Sequence, residues 1–393
     1  MAGRRNGPEV YRGRRKKLNV LGIVVGALAV LLLLIVVLFF GLQKYIVFGH
    51  DGISVVLPGS QAADSQEDGA AVGMEAELEQ VSAAISITEP DYSDVSARAG
   101  EGLSDFIGIY VPAEDVSLSG VGRYVDVMSN YNANALVLEV KPVSGQLVWS
   151  SSSEIAAAYS TNGTVDLAAL VAALRQQNSG IYLVAQISCC LDAMLASRSP
   201  ATALCLNTGA AYVDSEGAWL DPYNETVSQY IIELCEDLIS IGFDELLLKS
   251  LCMPITDQAI GYQVELSSTP SPEAAICGLA MTITNALEGY DVPVSAILDT
   301  TSLRSGLAAQ SGQNLELFGK VFDRLCSATD SAWRSNVDLS LIDEYLELGD
   351  TAQRYVPIME YVPEGYSTSI VRVPESVLPA ADTATDQGTG TQA

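Results

Sequence analysis

The stretch Asn134-Ala135-Leu136-Val137-Leu138-Glu139-Val140-Lys141 decides the fold. Four apolar residues follow one another without the polar alternation of a half-solvated strand, and charge arrives only at Glu139 and Lys141. A parallel strand reads this way when helices cover one of its faces and packed side chains the other. Working outward, Phe106–Val111 precedes it, and Ile181–Ile187, Glu245–Leu248, Val292–Leu298 and Tyr355–Val362 follow as similar runs. Between them lie helical patterns near Val121–Asn132, Val165–Gln177, Glu225–Ile241 and Pro272–Leu287, and from about Asn314. This alternation over ~270 residues predicts an α/β fold, a (β/α)8 TIM-type barrel, whose usual size is about 250 residues. A doubly wound open sheet is the competing arrangement. Only Ser367–Val373 is left for an eighth strand, and no helical pattern precedes it.

The barrel takes residues 105–373 of a 393-residue chain. On its N-terminal side, residues 43–104 become rich in Ala, Ser, Glu, Gln and Gly, a composition too poor in apolar residues for a core. They read as a mostly disordered tether, with a short amphipathic helix at Glu75–Ile87 as the alternative. Residues 374–393 read as a disordered tail. From Val20 to Leu42 no residue is charged. At about 1.5 Å per helical residue these positions reach ~34 Å, enough for one transmembrane helix. The stub 1–19 holds Arg4, Arg5, Arg12, Arg14, Arg15, Lys16 and Lys17, whereas only Lys44 closely follows the span. Basic flanks stay in the cytoplasm, so the C-terminal part is expected outside a cell membrane. A cleaved signal peptide would have an apolar run of about 7–15 residues and a small-residue cleavage site.

Beyond the stub, 13 basic residues stand against 47 acidic ones, a net of −34. That surface repels phosphate backbones, so no nucleic-acid partner is expected. No glycine-rich phosphate loop follows any strand, so no nucleotide is expected either. The seven cysteines contain no C-x-x-C pair and are odd in number, which indicates neither a zinc site nor a disulfide framework. The sole histidine, His50, lies outside the barrel, which removes His-assisted nucleophiles and His-ligated metals. No metal and no cofactor is expected.

Carboxylate chemistry remains. Active sites of such barrels gather at the C-terminal ends of the strands. There lie Glu139 and Lys141 after the second strand, Asp192 after the third, Lys249 after the fourth, Asp299 after the fifth and Glu360 in the seventh. Glycoside hydrolysis uses two carboxylates, about 5–5.5 Å or about 6.5–9.5 Å apart. Glu139, Asp299 and Glu360 are the catalytic candidates. Lys249 ends the run Phe243–Leu248, and alternation points its ammonium into the barrel mouth. There it either closes the top in a salt bridge to Glu139 or Asp299, or recognises a ligand. Trp149, Tyr212, Trp219, Tyr223 and Tyr361 are aromatics near the mouth on which a sugar face could stack. Lys141, Asp192, Trp219, Asp221, Tyr223 and Lys249 are the candidates for ligand binding.

Several segments follow one another at a family-like spacing. They are Gly108-Ile109-Tyr110-Val111, the 134–141 stretch, Gly180-Ile181-Tyr182-Leu183-Val184-Ala185 and Trp219-Leu220-Asp221-Pro222-Tyr223-Asn224. Gly242-Phe243-Asp244-Glu245, Pro254, Gly312-Gln313 and Tyr355-Val356-Pro357 continue the series. With these landmarks, residues from about Phe106 to Val362 resemble a bacterial family of proposed glycoside hydrolases with a (β/α)8 barrel. The resemblance implies that fold and a polysaccharide or cell-envelope glycan as partner. It also has departures. The family places an Asp at the end of the fourth strand and an Arg shortly before the proline, where this chain has Lys249 and Cys252. The third-strand Arg is Gln186, the acidic run after the second-strand Lys is Pro142-Val143-Ser144, and no proline loop follows the sixth strand near Ser327-Ala328-Thr329. An ammonium in place of a strand-end acid reverses the charge that an oxocarbenium-like transition state needs. The expectation is therefore a membrane-anchored barrel with impaired catalysis that binds a glycan or surface partner. An active hydrolase with a carboxylate pair and a purely structural surface domain are the alternatives.

Overall fold

The computed structural model describes residues 46–49, 52–55, 92, 94–97, 103–263, 270–299, 310–328 and 351–380. The chain divides into two compact units, Met1–Ile87 and Thr88–Ala393. In the first, within the segment read as a tether, strands Ile46–Gly49 and Gly52–Val55 pair antiparallel as a hairpin. The apolar span 20–42, His50 and the helix considered at 75–87 lie outside the described residues. Among the described residues no helix is long and apolar enough to cross a membrane.

The second unit is a closed barrel of eight parallel strands. They are β1 (Ile107–Val111), β2 (Ala135–Lys141), β3 (Tyr182–Ser188), β4 (Glu245–Lys249), β5 (Val294–Leu298), β6 (Arg324–Ala328), β7 (Tyr355–Met359) and β8 (Ser369–Val371). Helices α1 (Leu118–Val127), α2 (Leu167–Gln177), α3 (Glu225–Ile241), α4 (Pro272–Ala286) and α5 (Leu315–Val321) follow the first five strands. Each starts where the sequence offers a cap: the side chains of Ser117, Asp166, Asn224, Ser271 and Asn314 accept a backbone N–H of the first turn. Such a cap stabilises a helix by about 1 kcal/mol. β8 has three residues and no helix before it. It nevertheless closes the ring by pairing Ser369, Ile370 and Val371 with Ile107, Gly108 and Ile109, which excludes the open sheet.

Both faces of the strands are apolar because each has its own core. Leu136, Leu138, Leu246 and Leu248 pack outward on Val121, Leu170, Leu234 and Ile283 of the helices. Val137, Val184, Leu247, Cys326 and Val356 fill the interior. The interior is plugged near the strand starts by a buried ion pair, in which the Arg324 guanidinium donates to Glu245. Ser295 and Tyr182 also donate to the Glu245 carboxylate, at 2.5 and 2.9 Å, and Arg324 donates to the Ser104 carbonyl at 2.6 Å. Beyond β8 the packed chain runs past the boundary read at 373. Leu378 is buried, Arg123 of α1 donates to the Pro379 carbonyl at 2.8 Å, and Arg123 pairs with Glu375. Residues 374–380 thus belong to the packed unit, and 381–393 lie outside the described residues.

Candidate functional site

One residue out of register decides what the top of β2 presents. Glu139 lies level with Gln186 of β3, but a bulge puts Lys141 level with Ile187. An extra residue turns the following side chain to the opposite face. Glu139 therefore faces the interior and Lys141 the helix layer. The Lys141 ammonium, 1% exposed, lies 2.7 Å from Asp192 Oδ2, donates to the Ser188 carbonyl at 2.6 Å and sits over the Tyr230 ring. Asp192 is fully buried, and its Oδ1 accepts the Leu195 N–H at 2.8 Å, capping a short helix at Ala193–Arg198. Gly145, at φ +83°, closes over this pair: a Cβ there would come within 1.9 Å of Asp192 Oδ1. The two candidates meet each other and not the barrel mouth.

Glu139, 7% exposed, holds the middle of the interior top. Its Oε2 accepts the Tyr110 hydroxyl at 2.8 Å, and its Oε1 accepts Gln186 Nε2 at 3.3 Å and Lys249 Nζ at 3.1 Å. β3 stands between β2 and β4, so Lys249 and Glu139 can meet only inside the ring. Of the two roles considered for Lys249, the geometry has the salt bridge to Glu139. Burial, with the negative charge of Glu139, pushes the Tyr110 phenol well above its ordinary value.

Above this layer lies a cavity of about 590 Å³. Its floor comes from the strand ends: Lys249 of β4 and Ser250 after it, Ile297 and Leu298 of β5 and Asp299 after them, and Ala328 of β6. Ser250 takes φ +53°, a left-handed residue that bends the chain off the strand so that Cys252, Met253 and Pro254 form a further wall. The opposite wall is the loop after β3, with Tyr212, Asp214, Glu216 and Trp219. Asp214 organises that loop: Oδ1 accepts the N–H groups of Glu216 and Gly217, while Oδ2 accepts Trp219 Nε1 at 2.9 Å. Two residues of the chain, Cys205–Leu206, pair antiparallel with Ile260–Gly261 and tie this loop to the one after β4. Asp221 adds a second tie, accepting the Tyr223 N–H at 2.9 Å and the Gln263 N–H at 2.8 Å. Gln313 joins the β4 and β5 ends, donating to the Leu251 and Ile297 carbonyls and accepting the Asp299 N–H.

Of the catalytic candidates, only Asp299 lines this cavity. Glu139 lies beneath the mouth in its ion pair, and Glu360 is an exposed residue just past β7, which ends three residues before the predicted Val362. Of the ligand-binding candidates, Trp219 and Lys249 line the cavity, Asp221 is buried behind it, and Tyr223 packs edge-on against Tyr262. Trp149 is buried in the outer layer, where its Nε1 donates to Asp237. Sequence reasoning did not single out Asp214, Glu216 or Tyr110. The one available signal for the first two was the turn-forming Asp214-Ser215-Glu216-Gly217. All seven cysteines are buried and unpaired, and among the described residues no group of His, Cys, Asp and Glu could hold a metal.

None of the curated proteins matches the chain. Among solved structures, the glycoside hydrolase domain of PgaB (BpsB) from Bordetella bronchiseptica is similar over 70% of this chain and 95% of that one. Its TM-score is 0.50 and its identity 13%, a likeness of fold. A hypothetical protein from Ruminiclostridium thermocellum matches over 48% of this chain and 96% of its own, at 21% identity and a TM-score of 0.42. Residues 108–340 match the family described as "Putative glycosyl hydrolase domain", a span that runs from the first strand past the sixth. The eight-stranded parallel barrel agrees with that assignment, and the chain belongs to this family of glycosyl-hydrolase-like domains.

Proposed function

We propose that this protein is a membrane-anchored barrel that binds a cell-envelope or environmental glycan in the cavity above β4 and β5, with its hydrolytic chemistry impaired. The observation that carries the reading is the contact of Lys249 Nζ with Glu139 Oε1 at 3.1 Å. It neutralises the Glu139 carboxylate at the centre of the barrel top and leaves an ammonium at a strand end. A transition state that gathers positive charge on the sugar gains nothing from that ammonium. The aromatic wall at Tyr212 and Trp219 and the mixed polar floor remain suited to holding a sugar. The active hydrolase stays as a second reading because Asp299 and Glu216, two carboxylates, line the same cavity. The apolar span at Val20–Leu42 and its basic flank support anchoring with the N-terminus in the cytoplasm and the barrel outside.

The test is a panel of polysaccharides incubated with the full-length chain, scored for retention and for release of reducing ends. Retention without release is the expected result. Release that disappears in Asp299→Asn would sink the impaired reading and establish the other. Anchoring is tested separately: carbonate-washed membranes should retain the full chain and lose a variant lacking residues 1–42.

A further inference from the structure

A second cavity of about 240 Å³ adjoins the first, and Met253 and Pro254 belong to the walls of both. It is built by the loop between β4 and α4, by Pro272 at the start of α4 and by Gln310 ahead of α5. Its polar groups are Thr256, Gln258, Tyr262 and Gln310, and no charged side chain is among its described lining residues. An amide offers both donors and an acceptor, as a sugar hydroxyl requires, and an aromatic ring takes the C–H face of a pyranose. A charged ligand would find no partner among these described residues and would lose its water. The first cavity differs, since Lys249, Asp214, Glu216 and Asp299 line it.

The second cavity is also held in shape. Ile260 pairs with Leu206 and Gly261 with Cys205, so the strand that closes it also fixes the loop bounding the first cavity. Gln263 is tied to Asp221, the Tyr262 ring stands edge-on to Tyr223 at 5.0 Å, and the Met253 N–H donates to the Ser311 carbonyl at 2.7 Å beneath the shared ridge. A site fixed before its ligand arrives loses little conformational freedom on binding.

We infer that the second cavity is a further subsite, taking an uncharged sugar residue, so that the barrel holds an internal stretch of a linear glycan across the Met253–Pro254 ridge. This rests on the reading that the first cavity binds glycan. The experiment uses the full-length chain and the polysaccharide retained in the panel above, cut to fragments of increasing length and titrated calorimetrically. Affinity should rise with length until both cavities are filled. Tyr262→Ala should weaken the longest fragments about tenfold and leave the shortest unchanged, in keeping with the ring as an anchor. Tyr262→Phe, which keeps the ring, should retain most of the affinity. Gln258 is exposed, so Gln258→Ala cannot disturb the core, and it should cost the long fragments about threefold, the worth of a neutral hydrogen bond. Equal loss at every length in Tyr262→Ala, or wild-type affinity independent of length, overturns the subsite while leaving the first cavity's role intact. Failure of every polysaccharide to bind overturns both.

Discussion

Two lysines near the barrel top differ in what surrounds them, and the difference sets what each does. Lys141 and Asp192 are both fully buried, so removing one charge strands the other without water. Lys141→Met should therefore lower stability by about 3–5 kcal/mol. The Lys249 side chain is 34% exposed, and its partner Glu139 keeps the Tyr110 hydroxyl and the Gln186 amide when the ammonium is gone. Lys249→Met should cost only about 1 kcal/mol. Urea midpoints at unchanged slope measure both, and the reverse ranking would mean that Glu139 depends on Lys249 more than its other donors suggest. An acid at 249 is another matter, because it sets a second carboxylate against Glu139. Lys249→Asp alone should destabilise, and Gln186→Arg, reaching the same Oε1 from β3, should recover much of the loss. A double-mutant cycle with zero coupling would contradict the shared network. If glycan cleavage appears in that double variant and not in the wild type, the charge at 249 is what impairs the site. The inward direction of Lys249 was legible because alternation along β4 is unbroken. The outward direction of Lys141 was not, because the bulge before it leaves no mark in the residue types.

At the scale of elements, the regular parts were written plainly and the cavity walls were not. Ser117, Asp166, Asn224, Ser271 and Asn314 each lie within a few residues of the start of a helical pattern, and each caps the helix that follows. The loop from 207 to 219 has no period, and its shape depends on contacts with residues far along the chain, such as Asn207 N–H donating to the Ala259 carbonyl. Asp214 and Glu216 reach the cavity only through that tertiary pairing, so their roles stayed hidden. Asp221 was read as a candidate for ligand binding, and the structure buries it with its two oxygens accepting Tyr223 and Gln263 amides. Asp221→Ala takes the acceptor from two part-buried N–H groups, which water can partly replace, at about 1 kcal/mol each. Its local consequence is the better measurement. Amide exchange at Tyr223 and Gln263 should speed up by at least about tenfold, while amides of β2 and β3 slow or speed only with global stability. Unchanged exchange at both positions would show that the small antiparallel pair alone holds the loops.

For the molecule as a whole, closure rests on its shortest strand. Periodicity revealed the first five strand-helix units because each carries enough apolar residues to register. β8, with three residues, is defined by its pairing with β1 at the other end of the sequence, which no local pattern records. The closed ring then hides many ionisable groups from water. Burial pushes the phenols of Tyr110, Tyr182, Tyr230 and Tyr355 above their ordinary value of 10.0, and that of Tyr262 up to about 12. It raises the thiols of Cys189, Cys190 and Cys326 above 9.0, and that of Cys235 to about 12. In each case the folded state keeps a proton that the unfolded chain releases at lower pH. The unfolded state thus binds fewer protons from about pH 9 upward, and stability must fall as pH rises through that range. Melting temperature should hold steady up to about pH 9 and drop steeply by about pH 12, with no matching drop from phenols or thiols on the acid side. Absorbance at 295 nm should show a first step from surface phenols and a second, larger one that coincides with loss of the circular-dichroism signal. If the larger step came first, with the dichroism intact, the buried phenols would be ionising inside a folded barrel. The interior plugged by the Arg324–Glu245 pair would then be wrong.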